Sequence, residues 1–323
     1  MNHIKFFKQI NKTSVSEAGG KGASLGEMTQ AGISVPPGFV VLADAFDRFL
    51  EETDLKQEID ARLKQVNPDD INSVDKASSV IRDVIHDTEM PLDLAEEILK
   101  SFNELNAEFV AVRSSATAED GAIASWAGEL DTFLNITRDN VVEKVKECWS
   151  SLFTPRAIFY RYEKNLNDQN VSVGVVVQKM IQSEVSGVAF TVHPVTEDRD
   201  QMIIEAGFGL GEAIVSGQIT PDNYVVSKLE MSILDINVGN QSKKLMQNVD
   251  DGRDRHAQNV WIDLDESEGG KQKLTGKQTI QVAEMCKRIE AHYGFPCDIE
   301  WAIDDNDELY ITQSRPITTL KNN

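Results

Sequence analysis

Arg113, Ser114 and Ser115 stand at the end of a short apolar run, Phe109 to Val112. They open a stretch to Gly128 made almost wholly of Ser, Thr, Ala, Gly, Asp and Glu, with one aromatic, Trp126. Glycines and small hydroxyl residues let backbone N–H groups come close to an anion, and an arginine offers a planar, permanently charged fork for phosphate oxygens. The composition suits a flap over a polyphosphate, and it also suits a polar surface loop behind an edge strand. Lys21 lies between glycines in GGKGASLGEM, just before a helix-like stretch. There it can act as a phosphate clamp or as a solvated lysine on a capped helix. The segment is not a Walker A loop, which needs glycine where Val15 stands and Ser or Thr where Gly22 stands. A third set is at the far end of the chain, where Ile299 to Ile303 and Leu309 to Gln313 alternate around DDNDE and read as an antiparallel hairpin. The hairpin brings Glu300 and Gln313 close across the pair, and whether they share a face depends on the turn length and on any bulge. A carboxylate and an amide oxygen suit Mg²⁺, a hard cation that prefers oxygen ligands. The acidic run Asp304 to Glu308 reads as a solvated turn.

The elements that must hold these residues follow from periodicity. Phe109 to Val112 and Val171 to Val177 are β-branched enough to be buried strands. Between Ala43 and Phe109 the chain reads as helical, with Leu50, Leu55, Ile59 and Leu63 spaced for one face and a break at Pro91. Val141 to Phe153 is an amphipathic helix, and Thr154-Pro155 supplies the N-cap and first residue of the next. That next helix carries Ile158, Phe159, Tyr160 and Tyr162, which read as core. Gly187 to Val192, Met202 to Ala206, Asn223 to Ser227 and Met231 to Val238 have strand character. GFGLGE falls one residue short of the dinucleotide glycine spacing and reads as a tight turn flanked by Glu205 and Glu212, either near a bound group or solvated. The polar stretch from Gly239 to Gly276 reads as loop or peripheral hairpin. A helix then runs to Tyr293, with Gly294 at C′.

The whole chain sets bounds on partners. Its 32 Lys and Arg against 53 Asp and Glu give a formal charge of −21, which disfavours nucleic acid and anionic lipid. Cys148, Cys286 and Cys297 are odd in number and lack CxxC spacing, arguing against a disulfide framework or zinc site and for a reducing, cytoplasmic location. No apolar run is long enough for a membrane span, and MNHIKFFKQI lacks the apolar segment of a secretion signal.

VRSSATAED followed by WAGELDTFLN resembles the nucleotide-binding domain of the phosphoenolpyruvate synthase (pyruvate, water dikinase) and pyruvate phosphate dikinase family. Rifampicin phosphotransferases carry a similar domain. GGKGASLGEM, QKMIQSEVSGVAFTVHPVT and IEWAIDDNDELYITQSRPIT match in the same order, so the resemblance spans nearly the whole chain. It implies an α+β, ATP-grasp fold of two lobes with nucleotide in the cleft between them. The first lobe, 1–180, would hold the helical insertion and the flap at 114–128, and the second, 181–323, the metal-binding hairpin. ATP and Mg²⁺ are the implied cofactors. Lys21, Arg113 and Arg315 would supply the catalytic cations. Ser114, Gly128 and Thr132 would lie at the nucleotide, Gln178 and Met180 at the adenine, and Glu300 with Gln313 at the metal.

In the resembling synthases ATP phosphorylates a histidine on a separate domain, which carries the phosphoryl group to pyruvate. None of His3, His86, His193, His256 and His292 lies in a segment resembling that carrier motif. The resemblance therefore implies a phosphotransferase component that depends on a phosphohistidine domain or partner, with pyruvate or another small molecule as acceptor. An antibiotic-phosphorylating relative and a non-catalytic nucleotide-binding module are the other readings. The family's usual LPxASFAG lid reads GAIASWAGEL here, its usual Gln before DIEW is Cys297, and Glu129 replaces a Gln beside the polyphosphate.

Overall fold

A computed structural model describes residues 2–117, 131–164, 172–248, 259–318 and 320. Most of the flap, Gly128, Trp126 and Glu129 included, lies outside the described residues. The fold is α+β, and the chain divides into two compact units, Met1–Glu27 with Pro37–Met180 and Met28–Pro36 with Ile181–Asn323.

The first unit opens with strand β1 (Ile4–Phe6), helix α1 (Val15–Gln30) and strand β2 (Gly38–Val41). Helices α2 (Ala43–Glu52), α3 (Leu55–Leu63), α4 (Ile71–Asp87) and α5 (Leu92–Leu105) follow. Leu50 to Leu63 is not one helix, because the chain breaks at Thr53 and Asp54, and Asp54 takes the left-handed conformation with φ 58°. Strands β3 (Val110–Ala116) and β4 (Thr132–Ile136) come next, then helices α6 (Val141–Ser150) and α7 (Pro155–Glu163) and strand β5 (Val173–Lys179). The strands form an antiparallel sheet in the order β1-β2-β5-β3-β4. Thr154 caps α7 as its sequence predicts, its hydroxyl accepting from Ala157 N–H at 3.2 Å. On α7 Ile158 is buried, but Phe159 is 52% exposed, so the aromatic run there is only partly core.

One face of this sheet packs on the helices. Val110, Val112 and Ala116 of β3 join Phe46, Phe49, Val145, Cys148 and Trp149 in a single core, with the Phe49 and Trp149 rings stacked 5.2 Å apart. The apolar run on β3 ends at Val112, yet the strand continues to Ala116. Arg113, Ser114 and Ser115 therefore lie inside it, each paired in register with a residue of β5, rather than in the loop beyond.

The second unit contains strands β6 (Ser183–Phe190) and β7 (Gln201–Phe208), the short helix α8 (Glu212–Val215), and strands β8 (Asp222–Ser227) and β9 (Ser232–Asn237). Strands β10 (Lys243–Gln247) and β11 (Asn259–Asp263) form a separate hairpin. Helices α9 (Glu266–Gly269) and α10 (Gly276–Tyr293) and strands β12 (Cys297–Asp304) and β13 (Leu309–Pro316) complete it. The main sheet is antiparallel in the order β13-β12-β6-β7-β8-β9. Ile299, Trp301, Ala189, Ile204, Ala206 and Tyr224 are buried on one of its faces, as are Val282, Ala283, Cys286 and Ile289 of α10. Thr275 and Gln278 form a capping box at the start of α10, and Gly294 ends it with φ 78°.

The polar stretch after β9 is fastened from within. Lys273 Nζ lies 3.0 Å from Asp222 Oδ1 with both side chains fully buried. The Tyr224 hydroxyl donates to the other Asp222 oxygen at 2.8 Å, and Lys273 Nζ donates to the Gly269 carbonyl at 2.9 Å. A buried charge needs this number of partners, since an unpaired ion away from water is strongly destabilising.

Candidate functional site

In the first unit the residues singled out by chemistry sort by sheet face. Side chains two apart on a strand share a face, and cross-strand partners share it too. Ala111, Arg113 and Ser115 of β3 are therefore on the face away from the helical core, with Gln178 paired to Ala111 and Val176 to Arg113. Thr132 of β4 pairs with Arg113 from the other side. Arg113 is 9% exposed and Gln178 3%, whereas Thr132 is open to solvent. Helix α1 approaches the same face. Its first turns are interrupted at Gly19, which has φ 69° and ψ 171°, and Lys21 falls in the first turn after the break. Gly22 N–H donates to Ser115 Oγ at 3.2 Å, so the lysine-bearing helix start is attached to β3.

Ser114 faces the other way. Its hydroxyl donates to the carbonyls of Asp131 and Cys148, each at 3.2 Å, and lies 3.1 Å from Ser151 Oγ, while its N–H donates to Asp131. This side chain joins β3 to β4 and α6. At the end of β5 the Lys179 N–H donates to Pro37 O and the Met180 N–H to Phe109 O. Those two amides are thus engaged within the unit, and what the β5 end offers a ligand is side chains and carbonyls.

In the second unit the hairpin register places Glu300 directly opposite Gln313. The bulge falls just beyond, between Glu300 and Trp301, so it does not disturb this pair. The two therefore share the face opposite the Ile299 and Trp301 side chains. One step along the same face Asp298 pairs with Arg315, whose Nε and Nη2 lie 2.8 and 2.7 Å from one carboxylate oxygen. Val188 of β6 is the common neighbour of Glu300 and of Glu205 on β7, which places Glu205 in the same row, two strands from Glu300 with the valine between them. Burial raises the Asp298 carboxyl above its ordinary value, against the pull of Arg315 and with a further push from Glu300. Burial raises Glu205 likewise, and the Asp298 charge adds to it. The periodic signal for a strand around MIIEA marks Glu205, but no local pattern shows that it falls in the Glu300 row.

Glu300 and Gln313 fit a hard divalent cation, one anionic and one neutral oxygen donor fixed side by side. Among the described residues no group of three or more His, Cys, Asp or Glu is gathered as a metal site. Gly209 of GFGLGE has φ 89°, and its carbonyl accepts from Ser183 and Ser186 at 2.9 and 2.6 Å, as a tight turn requires. Cys148, Cys286 and Cys297 are free and buried, and burial pushes the Cys148 and Cys297 thiols up to about 12, which makes them poor nucleophiles. Among the described residues no helix is long and apolar enough to cross a membrane.

Against known families, residues 15–323 match the pyruvate phosphate dikinase, AMP/ATP-binding domain. A probable phosphoenolpyruvate synthase from Methanothermobacter thermautotrophicus is 45% identical over 327 residues, covering 99% of this chain and 46% of the relative. A rifampicin phosphotransferase from Bacillus cereus is 38% identical over 317 residues, covering 97% of this chain and 36% of the relative. The chain thus spans less than half the length of these relatives. Among solved structures a biotin carboxylase from Campylobacter jejuni aligns with 91% of this chain and 39% of its own at 11% identity and a TM-score of 0.35, too slight a likeness to argue from.

Proposed function

The chain belongs to the pyruvate phosphate dikinase AMP/ATP-binding domain family, and from that premise we propose that it binds ATP with Mg²⁺ and passes a phosphoryl group to a histidine on another domain or protein. The observation that carries this reading is the hairpin register, which sets Glu300 against Gln313 and Asp298 against Arg315 on one sheet face. A metal ligand pair and a phosphate-seeking guanidinium on adjacent rungs are what a metal-bound polyphosphate requires.

In this reading Lys21 and Arg113 neutralise phosphate charge from the first unit, Thr132 and the backbone at Gly128 contact the nucleotide, and Gln178 and Met180 meet the adenine. Glu300 and Gln313 hold Mg²⁺, and the ion supplies charge neutralisation at the phosphates when bound. Asp298 orients Arg315 by its ion pair. Phosphoryl transfer needs little covalent chemistry from protein, so positioning and charge account for these residues. The family's ATP-grasp fold and the cytoplasm as location belong to the same reading, as does pyruvate as the final acceptor.

Phosphorus NMR of the protein with Mg²⁺ and ATP, in the presence of a phosphohistidine-bearing domain from a relative, tests it. For AMP to leave, the β-phosphoryl group must end on the histidine and water must take the γ-phosphate. The expected products are therefore AMP, phosphate and a phosphohistidine, whose phosphoryl group passes to added pyruvate to give phosphoenolpyruvate. Arg113→Ala and Glu300→Ala are each expected to lower turnover by roughly 100-fold or more with the melting temperature little changed. Full activity in either variant contradicts the assignment. The similarity to a rifampicin phosphotransferase favours one second reading, and a rifamycin added in place of pyruvate separates the two.

A further inference from the structure

Resting on the reading of Lys21 and Arg113 as phosphate contacts, we infer that Ser115 is a positioning residue that clasps the helix start bearing Lys21 to strand β3, and so fixes the spacing of the two cations. Ser115 is fully buried. Its hydroxyl donates to the carbonyl of Ala18 at 2.9 Å and accepts the N–H of Gly22 at 3.2 Å. Ala18 and Gly22 lie on either side of the break at Gly19, so one hydroxyl ties both ends of the interruption. It caps the resumed helix as an N-cap side chain would, but from a strand nearly a hundred residues away.

The seat is cut to fit. A Cβ on Gly19 would stand 2.1 Å from the Ser115 carbonyl oxygen and 2.2 Å from its hydroxyl, and the φ of 69° is one that L side chains resist. Gly174 is the β5 partner directly opposite Ser115, and a Cβ there would come within 3.0 Å of the Ala18 carbonyl. A Cβ on Gly22 would lie 3.0 Å from a Val40 methyl. Three missing side chains therefore allow the helix start to rest against the sheet, and the Ser115 hydroxyl fastens it there. Ser115 shares its face with Arg113, two residues earlier on the same strand. A rigid link between two phosphate cations lowers the entropic cost of bringing both to one ligand.

A purely structural role and a positioning role give different binding data. Calorimetric affinities for Mg-ATP and for adenosine, which has no phosphate, are measured on the full chain as wild type, Ser115→Ala, Lys21→Ala and the double variant. Positioning predicts that Ser115→Ala weakens ATP by about tenfold while adenosine affinity is unchanged, and that it has no further effect once Lys21 is removed. Equal losses for ATP and adenosine, or losses that simply multiply in the double variant, overturn the inference. If Ser115→Ala does not fold, Gly22→Ala keeps the hydroxyl but crowds Val40, and it is expected to show the same ATP-selective loss; an unchanged ATP affinity there overturns it. Wild-type protein that binds adenosine and ATP equally refutes the phosphate reading itself.

Discussion

Glu205 shows how a residue can be tested without touching the cations. It is half-buried in the row that holds Glu300, and burial first, then the Asp298 charge, holds its carboxyl above the ordinary 4.5. A carboxyl raised in the folded state binds its proton more tightly there than in the unfolded chain. It therefore contributes stability that is fully present below about 4.5 and is lost as pH rises through the folded value. Glu205→Gln removes that loss, so in metal-free buffer the variant is expected to melt about 2 °C above wild type at pH 7, with the gain shrinking toward pH 4. Thermal scans across that range check it, and a gain that persists at pH 4 contradicts it. Other residues were legible from local pattern alone. The alternation of IEWAI and LYITQ brings Glu300 close to Gln313, as the observed register does, whereas their sharing a face is settled only by the bulge falling beyond them. Ser114 was not legible in this way: its type suits a nucleotide loop, but its direction depends on a strand that continues past its apolar run and turns the hydroxyl to Cys148 and Ser151.

At the scale of elements, sequence signals that depend on one backbone position carried over best. Thr154-Pro155 opens α7, and Gly294 closes α10. Gly294 has φ 78° and nothing within 4 Å of where a Cβ would stand. Gly294→Ala is thus expected to cost about 1 kcal/mol through backbone strain alone, visible as a lower urea midpoint with an unchanged slope; no loss would show that the helix end readjusts freely. Elements set by partners distant in sequence were harder to read. Leu50 to Leu63 has helical spacing throughout, yet the chain breaks at Thr53 and Asp54, where no Gly or Pro marks a turn. The stretch after Gly239 looks like solvated loop by composition, yet its Lys273 forms a buried ion pair with Asp222 of β8. Only Tyr224, Gly269 and the surrounding backbone make that affordable, and they come from three separate segments.

For the whole molecule the telling feature is that the second unit is discontinuous. Residues 28–36 group with 181–323 although residues of the other unit flank them on both sides. The attachment is by specific bonds: Ile311 N–H donates to Ser34 O at 2.8 Å, and Arg288 Nη2 donates to the carbonyls of Ala31 and Gly32 at 2.9 and 3.2 Å. Nothing in AGISVPP signals these partners, because what the segment contributes to these bonds is the backbone carbonyls of Ala31, Gly32 and Ser34. A fragment of residues 181–323 is accordingly expected to unfold at lower urea than the same unit in the full chain, and to regain part of the difference when a peptide covering 28–36 is added. Circular dichroism with and without the peptide reads both, and a fragment as stable as the parent contradicts it.

The same discontinuity orders events on the ribosome. Residues 28–36 emerge early, while the helix and strand whose Arg288 and Ile311 receive them come about 250–280 residues later, a wait of roughly 13–56 s at about 5–20 residues per second. During that interval the nascent first unit can close its own core, but the borrowed segment has no seat. Substituting slow codons downstream of residue 180 would lengthen its exposure to proteases and chaperones without changing one atom of the finished protein.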